Sequence, residues 1–187
     1  GSATCDPCDP GYYQDKNGSD TCAACGAGYY QPATGATSCE PATNGSYTSA
    51  TGQPTASTCV NGTYSSGVAS TSCSDCVAGT WSSEGAQECQ QCPGGTYSSG
   101  RATECTDCDA GKFAASDGSD TCIPCTAGNF SDASAASCSA CDAGKYSATG
   151  AATCSDCDAG YCQNDSTKTP PYFCHAASST SPGPPRR

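Results

Sequence analysis

The chain has 187 residues, of which 20 are Cys and 22 are Gly, and its net charge is -11. It contains no Leu, no Met and a single Ile, so it cannot bury an apolar core of the size that is usual for this length. Its acidity excludes a nucleic-acid-binding protein, because no basic patch is present to displace counterions from phosphates.

One short unit recurs ten times, with a period of 16 or 17 residues. Each unit has a Cys-x-x-Cys doublet, a glycine three residues after the second doublet position, and in nine units an aromatic residue two positions later. The second doublet position falls at residues 8, 25, 42, 59, 76, 92, 108, 125, 141 and 157, and repeats 1 to 10 are numbered from it. The aromatic residues are Tyr13, Tyr30, Tyr47, Tyr64, Trp81, Tyr97, Phe113, Phe130 and Tyr146.

A fixed short period predicts units that stack in a row and contact only their neighbours, so we expect an elongated, solenoid-like rod. Within each unit the segment after the glycine is short and alternating, as in Thr96-Tyr97-Ser98, and a turn returns the chain to Cys. This pattern predicts one short β-hairpin per repeat, with the glycine at positive φ or at a close backbone approach. The predicted fold class is small disulfide-rich repeats, mostly irregular, with the aromatic residues in one stripe.

Two doublets each lack one cysteine, and these defects indicate how the others pair. Ala42 occupies a second doublet position and Ala56 the next first position. Since an unpaired thiol is reactive in an oxidising compartment, joint loss of two partners is expected. Bonding the second Cys of each doublet to the first Cys of the next gives Cys8–Cys22, Cys25–Cys39, Cys59–Cys73, Cys76–Cys89, Cys92–Cys105, Cys108–Cys122, Cys125–Cys138 and Cys141–Cys154. The alternative bonds first to first and second to second in pairs of doublets, and it would leave Cys39 and Cys59 to bond each other.

Four cysteines remain outside this sequential pairing: Cys5, Cys157, Cys162 and Cys174. In one interpretation Cys157 bonds Cys5 of the next molecule, Cys162–Cys174 closes the tail, and copies of the chain join head to tail. In the other, Cys157–Cys174 closes within the chain and Cys5 marks a truncation. Non-covalent end-to-end stacking of copies is compatible with both.

The repeat register ends near residue 161, which divides the chain into a repeat rod at 1–161 and a Pro/Ser-rich tail at 162–187. The tail is suited to O-glycans or hydroxyproline. Such a segment is mobile unless something holds it, so we expect it to dock on a neighbouring molecule.

The cysteine count predicts an oxidising compartment, and the asparagines agree with it. Every Asn in the chain begins an Asn-x-Ser/Thr sequon, which predicts N-glycosylation. The five sites are Asn17, Asn44, Asn61, Asn129 and Asn164. With no secretory leader and no apolar run long enough to span a membrane, we expect a mature chain or excised ectodomain piece, extracellular or on a eukaryotic cell surface, that does not insert into a membrane itself.

Cys-x-x-Cys doublets also occur in zinc sites and redox enzymes. The sequons, the acidity and the presence of a single His, His175 in the tail, argue against both, and no catalytic site is predicted. We therefore expect no enzyme, no metal and no cofactor other than covalent glycans. Aspartates beside the doublets leave weak Ca²⁺ binding open, against the alternative of a solvated face. They are Asp75, Asp107, Asp109, Asp142, Asp156 and Asp158.

The unit Cys92-Pro93-Gly94-Gly95-Thr96-Tyr97 and its counterparts over residues 5–161 resemble the ephrin-receptor-like cysteine-rich repeat, and more broadly the TNF-receptor and EGF-like modules. Ala42, Ala56 and Cys162, which replaces the tenth aromatic residue, depart from the pattern. Such repeats occur in receptor ectodomains and in arrays on protist and algal surface proteins. The resemblance implies an extracellular, non-catalytic array. We expect a structural glycoprotein, the protomer of an extracellular fibril or cell-surface coat; the alternatives are a receptor or adhesion ectodomain stalk and a variable surface antigen.

Overall fold

The computed structural model describes residues 6–157, which contain no helix and 18 strands of two residues each. The strands pair in chain order into nine antiparallel hairpins. They are β1 (Tyr12–Tyr13), β2 (Ala23–Ala24), β3 (Tyr29–Tyr30), β4 (Glu40–Pro41), β5 (Ser46–Tyr47), β6 (Ser57–Thr58), β7 (Thr63–Tyr64), β8 (Ser74–Asp75), β9 (Thr80–Trp81), β10 (Gln90–Gln91), β11 (Thr96–Tyr97), β12 (Thr106–Asp107), β13 (Lys112–Phe113), β14 (Ile123–Pro124), β15 (Asn129–Phe130), β16 (Ser139–Ala140), β17 (Lys145–Tyr146) and β18 (Ser155–Asp156). The predicted fold class of small disulfide-rich hairpin repeats is confirmed.

Each hairpin is anchored at the glycine that follows the doublet. In repeat 1 the glycine carbonyl, Gly11 O, accepts a hydrogen bond of 2.9 Å from the backbone N–H of Cys25, the next second doublet position. The same bond closes all nine hairpins, including the one at Ala42, where the cysteine is absent. Hairpin closure therefore depends on the backbone, and the disulfide is an addition to it.

The contacts divide the chain into two units. Among the described residues, the first unit comprises residues 6–92, Tyr97–Thr106 and Gly118–Asp120. The second comprises Pro93–Thr96, Asp107–Asp117 and residues 121–157. Five disulfides lie within the first unit and three within the second.

The buried side chains are small. Seven second-position cysteines, with Ala42 at the equivalent place, are at most 5% exposed, and most of the other buried side chains are Ser or Thr. The large aliphatic residues lie outside; Val60 is 60% exposed and Val77 is 70% exposed. The core therefore consists of disulfides, hydroxyls and backbone, as the lack of Leu and Met requires.

Candidate functional site: the stacking face of the repeats

Three backbone hydrogen bonds join each repeat to the next. Between repeats 4 and 5, the N–H groups of Gly62 and Ser65 donate to the carbonyls of Ser82 and Ala86, at 2.9 and 3.1 Å. In return, the N–H of Gly85 donates to the carbonyl of Cys59 at 2.8 Å. The same set recurs at seven of the eight junctions between described hairpins, and two of the three bonds are present at the junction of repeats 8 and 9. Because the bonds join backbone atoms, they do not depend on which side chains the repeats carry.

The glycine of each hairpin also contacts the repeat after next. All nine such glycines have positive φ, between 77° and 89°. A Cβ on seven of them would lie closer than 3.0 Å to a backbone carbonyl oxygen two repeats further on, as for Gly79 and the oxygen of Gly118. The expectation that repeats contact only their immediate neighbours is therefore wrong. Glycine is required because backbone from the next-but-one repeat fills the space of its side chain.

A second positive-φ position lies four residues before each first cysteine, and its residue is called the turn residue here. Six of the nine turn residues are Gly, whereas Ala69, Arg101 and Ser134 adopt φ of 57°, 62° and 58° without being Gly. Eight turn residues donate their N–H, at 2.8 Å, to the carbonyl of the second doublet position in the preceding repeat. The extra residue of the longer repeats lies before this turn, so both repeat lengths place the same donor at the junction.

A buried hydroxyl adds a fourth bond at five junctions. The residue after the aromatic is buried, and in five repeats its hydroxyl donates to a strand carbonyl of the preceding repeat; Ser82 Oγ, for example, lies 2.9 Å from Thr63 O. Repeat 7 has Ala114 at this place, 1% exposed. Sequence reasoning missed this role, although Ser or Thr directly follows the aromatic residue in six repeats.

The structure contains eight disulfides, and they are the eight pairs of the sequential scheme. Their Cα atoms are 5.6 to 5.8 Å apart, and neither Cys39 nor Cys59 bonds the other. The 16 sulfurs are bonded to one another and so are not thiolate ligands for zinc. Within residues 6–157 no three His, Cys, Asp or Glu side chains come together as a metal site.

The remaining cysteines are only partly described. Cys157 is half-buried and joins none of the eight disulfides, while its N–H donates to Gly144 O at 2.9 Å as in the earlier repeats. Cys5, Cys162 and Cys174 lie outside the described residues, as do Asn164, His175, Asp158 and the predicted tail at 162–187. Both interpretations of the terminal cysteines therefore stay predictions.

The nine repeat aromatic residues are all half-buried and lie on the first strand of each hairpin. Each printed pairing puts the aromatic opposite the residue after the first cysteine or the alanine that replaces it, as for Tyr30 and Glu40. Partial burial, followed by the hydrogen bond and charge of Glu40, raises the pKa of Tyr30 above its ordinary value of 10.0. Their predicted stacking on disulfides or on one another stays a prediction.

Charged side chains are paired at the surface. Asp75 lies 3.3 Å from Arg101, Asp109 lies 2.9 Å from Lys112 and Asp156 lies 2.7 Å from Lys145. Hydrogen bonding and charge from Lys112 lower the pKa of Asp109, and those from Asp156 raise the pKa of Lys145. Three of the aspartates predicted as weak Ca²⁺ ligands are thus engaged with cations.

The four described sequon asparagines differ in exposure. Asn17, Asn44 and Asn61 are exposed, whereas Asn129 is half-buried in β15. Its Nδ2 donates to Thr126 Oγ1 at 3.0 Å.

Two stretches of the chain, residues 1–40 and 95–141, match the family model described as "Tyrosine-protein kinase ephrin type A/B receptor-like". No curated protein matches the chain significantly. Together with the regular array of disulfide-linked modules, the match confirms a cysteine-rich repeat array similar to the ephrin-receptor-like repeat. The matched family is a receptor ectodomain module and not an enzyme family, and such modules with many disulfides are typical of extracellular proteins. Nothing within residues 6–157 has the length and apolar character of a membrane-spanning helix.

Proposed function

Starting from an extracellular array of ephrin-receptor-like repeats, we propose that the chain is a structural glycoprotein that assembles end to end into an extracellular fibril or cell-surface coat. The repeated backbone junction carries the proposal. Every junction uses one set of bonds, so any repeat can in principle follow any other, whether the two belong to one chain or to two.

The two faces of a repeat are complementary in hydrogen bonding. Towards the following repeat it offers two N–H donors and one carbonyl acceptor, and towards the preceding repeat one donor and two acceptors. In repeat 1 the preceding-side groups are the N–H of Gly18 and the carbonyls of Gln14 and Ser19. These three have no partner within residues 6–157. They lie at the surface of the first hairpin, where a repeat from a second copy can bind them.

Repeat 9 offers a matching vacancy. A Cβ on Gly144 would meet nothing within 4 Å, although its φ is +85° like that of the other hairpin glycines. In the earlier repeats this space holds the turn residue of the next-but-one repeat. If repeat 10 of one copy is followed by repeat 1 of the next, that turn residue is Gly18. A Cys157–Cys5 disulfide between copies would make the same contact covalent.

The test is electron microscopy of the secreted full chain, which is expected to show filaments with a regular axial period. Gly144→Ala should abolish the filaments, while the single chain should melt within a few degrees of the unmodified one, because the positive φ costs about 1 kcal/mol locally. Gly26→Ala is the matched control, since it also meets nothing within 4 Å and has no positive φ. Monodisperse single chains under all conditions, or unchanged filaments from Gly144→Ala, would overturn the proposal.

A non-reducing gel tests the covalent version separately. Multimers that collapse to single chains on reduction are expected if Cys5 and Cys157 join copies. Filaments whose chains run as monomers on that gel would leave only non-covalent stacking.

The receptor-type description of the matched family favours a second function, that of a receptor or adhesion ectodomain stalk. In that case the array displays a ligand site and does not polymerise. Monodisperse chains that bind a cell surface or a soluble ligand would support it.

A further inference from the structure

We infer that the folded chain carries N-glycans at Asn17, Asn44 and Asn61 and none at Asn129, because glycan transfer to Asn129 and closure of its repeat exclude each other. The inference rests on the proposed extracellular function, since only secreted chains meet the transferase. It divides chemically equivalent sequons by their place in the repeat.

Asn44 and Asn61 occupy one position in consecutive repeats, two residues after the buried second doublet position. Both side chains are exposed, and the buried glycine that follows each, Gly45 or Gly62, holds the backbone at the junction. The only side-chain hydrogen bond printed for either is a contact of 3.4 Å between Asn44 Nδ2 and Gln87 Oε1 at the surface. A glycan at either place therefore extends into solvent without displacing part of the fold.

Asn17 lies in the first hairpin, directly before the turn residue Gly18. The residues at this place in the other eight described hairpins are exposed, even though their turns are bonded to the preceding repeat. They are Thr34, Thr51, Val68, Glu84, Gly100, Asp117, Ala133 and Thr149. A glycan on Asn17 is thus compatible with a repeat stacked against repeat 1.

Asn129 is bound into its repeat at several points. It forms β15 with Phe130 and is half-buried, its Nδ2 donates to Thr126 Oγ1, and its carbonyl accepts a 2.8 Å hydrogen bond from Ser147 Oγ. The sequon hydroxyl on Ser131 is 3% exposed and donates to Lys112 O at 2.9 Å. Both sequon groups are therefore engaged once Cys125–Cys138 has closed the hairpin.

The sequon of Asn61 shows that a buried hydroxyl alone does not exclude a glycan. Thr63 is 4% exposed and its Oγ1 donates to Val60 O at 2.6 Å, so transfer at Asn61 must precede folding of that repeat. The exposed Asn61 then allows the glycosylated repeat to fold. A glycan on the half-buried Asn129 would instead oppose formation of β15 and its hydrogen bonds.

Site occupancy in the secreted full chain tests the inference. Enzymatic deglycosylation in ¹⁸O-water converts each glycosylated Asn to labelled Asp, which peptide mass spectrometry locates. Label is expected at Asn17, Asn44 and Asn61, with occupancy at Asn129 at least about ten-fold below that at Asn61. Equal occupancy at Asn129 and Asn61, or no label at Asn44 and Asn61, would overturn the inference.

Synthesis in cells treated with dithiothreitol tests the exclusion itself. With Cys125–Cys138 held open, occupancy of Asn129 is expected to rise towards that of Asn61, and no rise would refute the proposed mechanism. Asn61→Gln should remove one glycan from the untreated chain, while Asn129→Gln, the matched control, should remove none. Filament formation is scored separately on the same samples, so glycans without filaments contradict only the proposed function, and filaments with the wrong glycan pattern contradict only this inference.

Discussion

At the scale of the residue, glycine and the turn position determine whether repeats fit together. The sequence predicts the hairpin glycines correctly, because glycine at a fixed place in ten repeats indicates a backbone constraint. It does not identify the turn position at Ala69, Arg101 or Ser134, because those residue types do not indicate positive φ. Only their distance from the first cysteine does, and its meaning emerges from the hydrogen bond at the junction.

Gly79→Ala should destabilise the chain by about 2–4 kcal/mol, because its Cβ would collide with the backbone of Gly118 and its φ is +83°. Denaturant or thermal unfolding with disulfides intact measures the effect. Gly26→Ala, which meets nothing within 4 Å, should change stability little. Equal melting temperatures for the two variants would contradict the close-packed junction.

Glu40→Gln should lower the pKa of Tyr30, because it removes the hydrogen bond and charge that, after burial, raise that pKa. The fold favours the neutral hydroxyl, so this contribution to stability is complete below pH 10.0 and is lost as pH rises through the pKa of folded Tyr30. NMR of the labelled tyrosine ring carbons follows the titration, and Tyr30→Phe assigns the signal. An unchanged titration in Glu40→Gln would show that the carboxylate has no such effect.

At the scale of the element, a hairpin of two-residue strands is stable only within the array. Isolated two-stranded hairpins are marginal in water, and here each gains bonds to its neighbours and a disulfide. The sequence predicts the hairpins and favours the observed pairing through Ala42 and Ala56. It does not predict the buried hydroxyls, because in a chain so rich in Ser and Thr no single serine stands out.

Ala42→Cys with Ala56→Cys should form a ninth disulfide, because hairpin 3 keeps the backbone bonds of its neighbours. The gain in stability is about 3 kcal/mol if the loop behaves like its neighbours. Intact mass and thiol titration detect the bond, and the melting temperature should rise only without reductant. Two free thiols in the folded double variant would show that this hairpin differs from the others.

Ser98→Ala should cost about 1–2 kcal/mol, since it leaves the buried carbonyl of Thr80 without its 2.9 Å partner. Ser99→Ala, at an exposed neighbour, is the control and should be neutral. The reverse change, Ala114→Ser, should stabilise by supplying the same bond to the preceding repeat. Loss of stability in both serine variants would argue against a specific role for the buried hydroxyl.

At the scale of the whole molecule, disulfides and junction bonds take the place of an apolar core. The cysteine count indicates this from the sequence alone, since the chain has too few large aliphatic residues to fold otherwise. The contact with the next-but-one repeat could not be predicted, because it depends on how far one turn reaches across its neighbour. Sequence periodicity gives the size of a repeat and not its reach.

Reduction and alkylation of the chain should abolish its ordered structure, because the remaining side chains bury too little apolar surface to offset backbone entropy. Circular dichroism and NMR dispersion measure the loss. Alkylation without reductant is the control and should leave the fold intact. A reduced chain that keeps its NMR dispersion would show that junction hydrogen bonds alone sustain the array.

The backbone character of the junction also bears on how such a chain can change. Repeats that present unrelated surfaces still fit each other, because the bonds between them involve N–H and carbonyl groups. Whole repeats can therefore be duplicated or deleted without redesign of their neighbours, and the array can lengthen or shorten in steps of 16 or 17 residues.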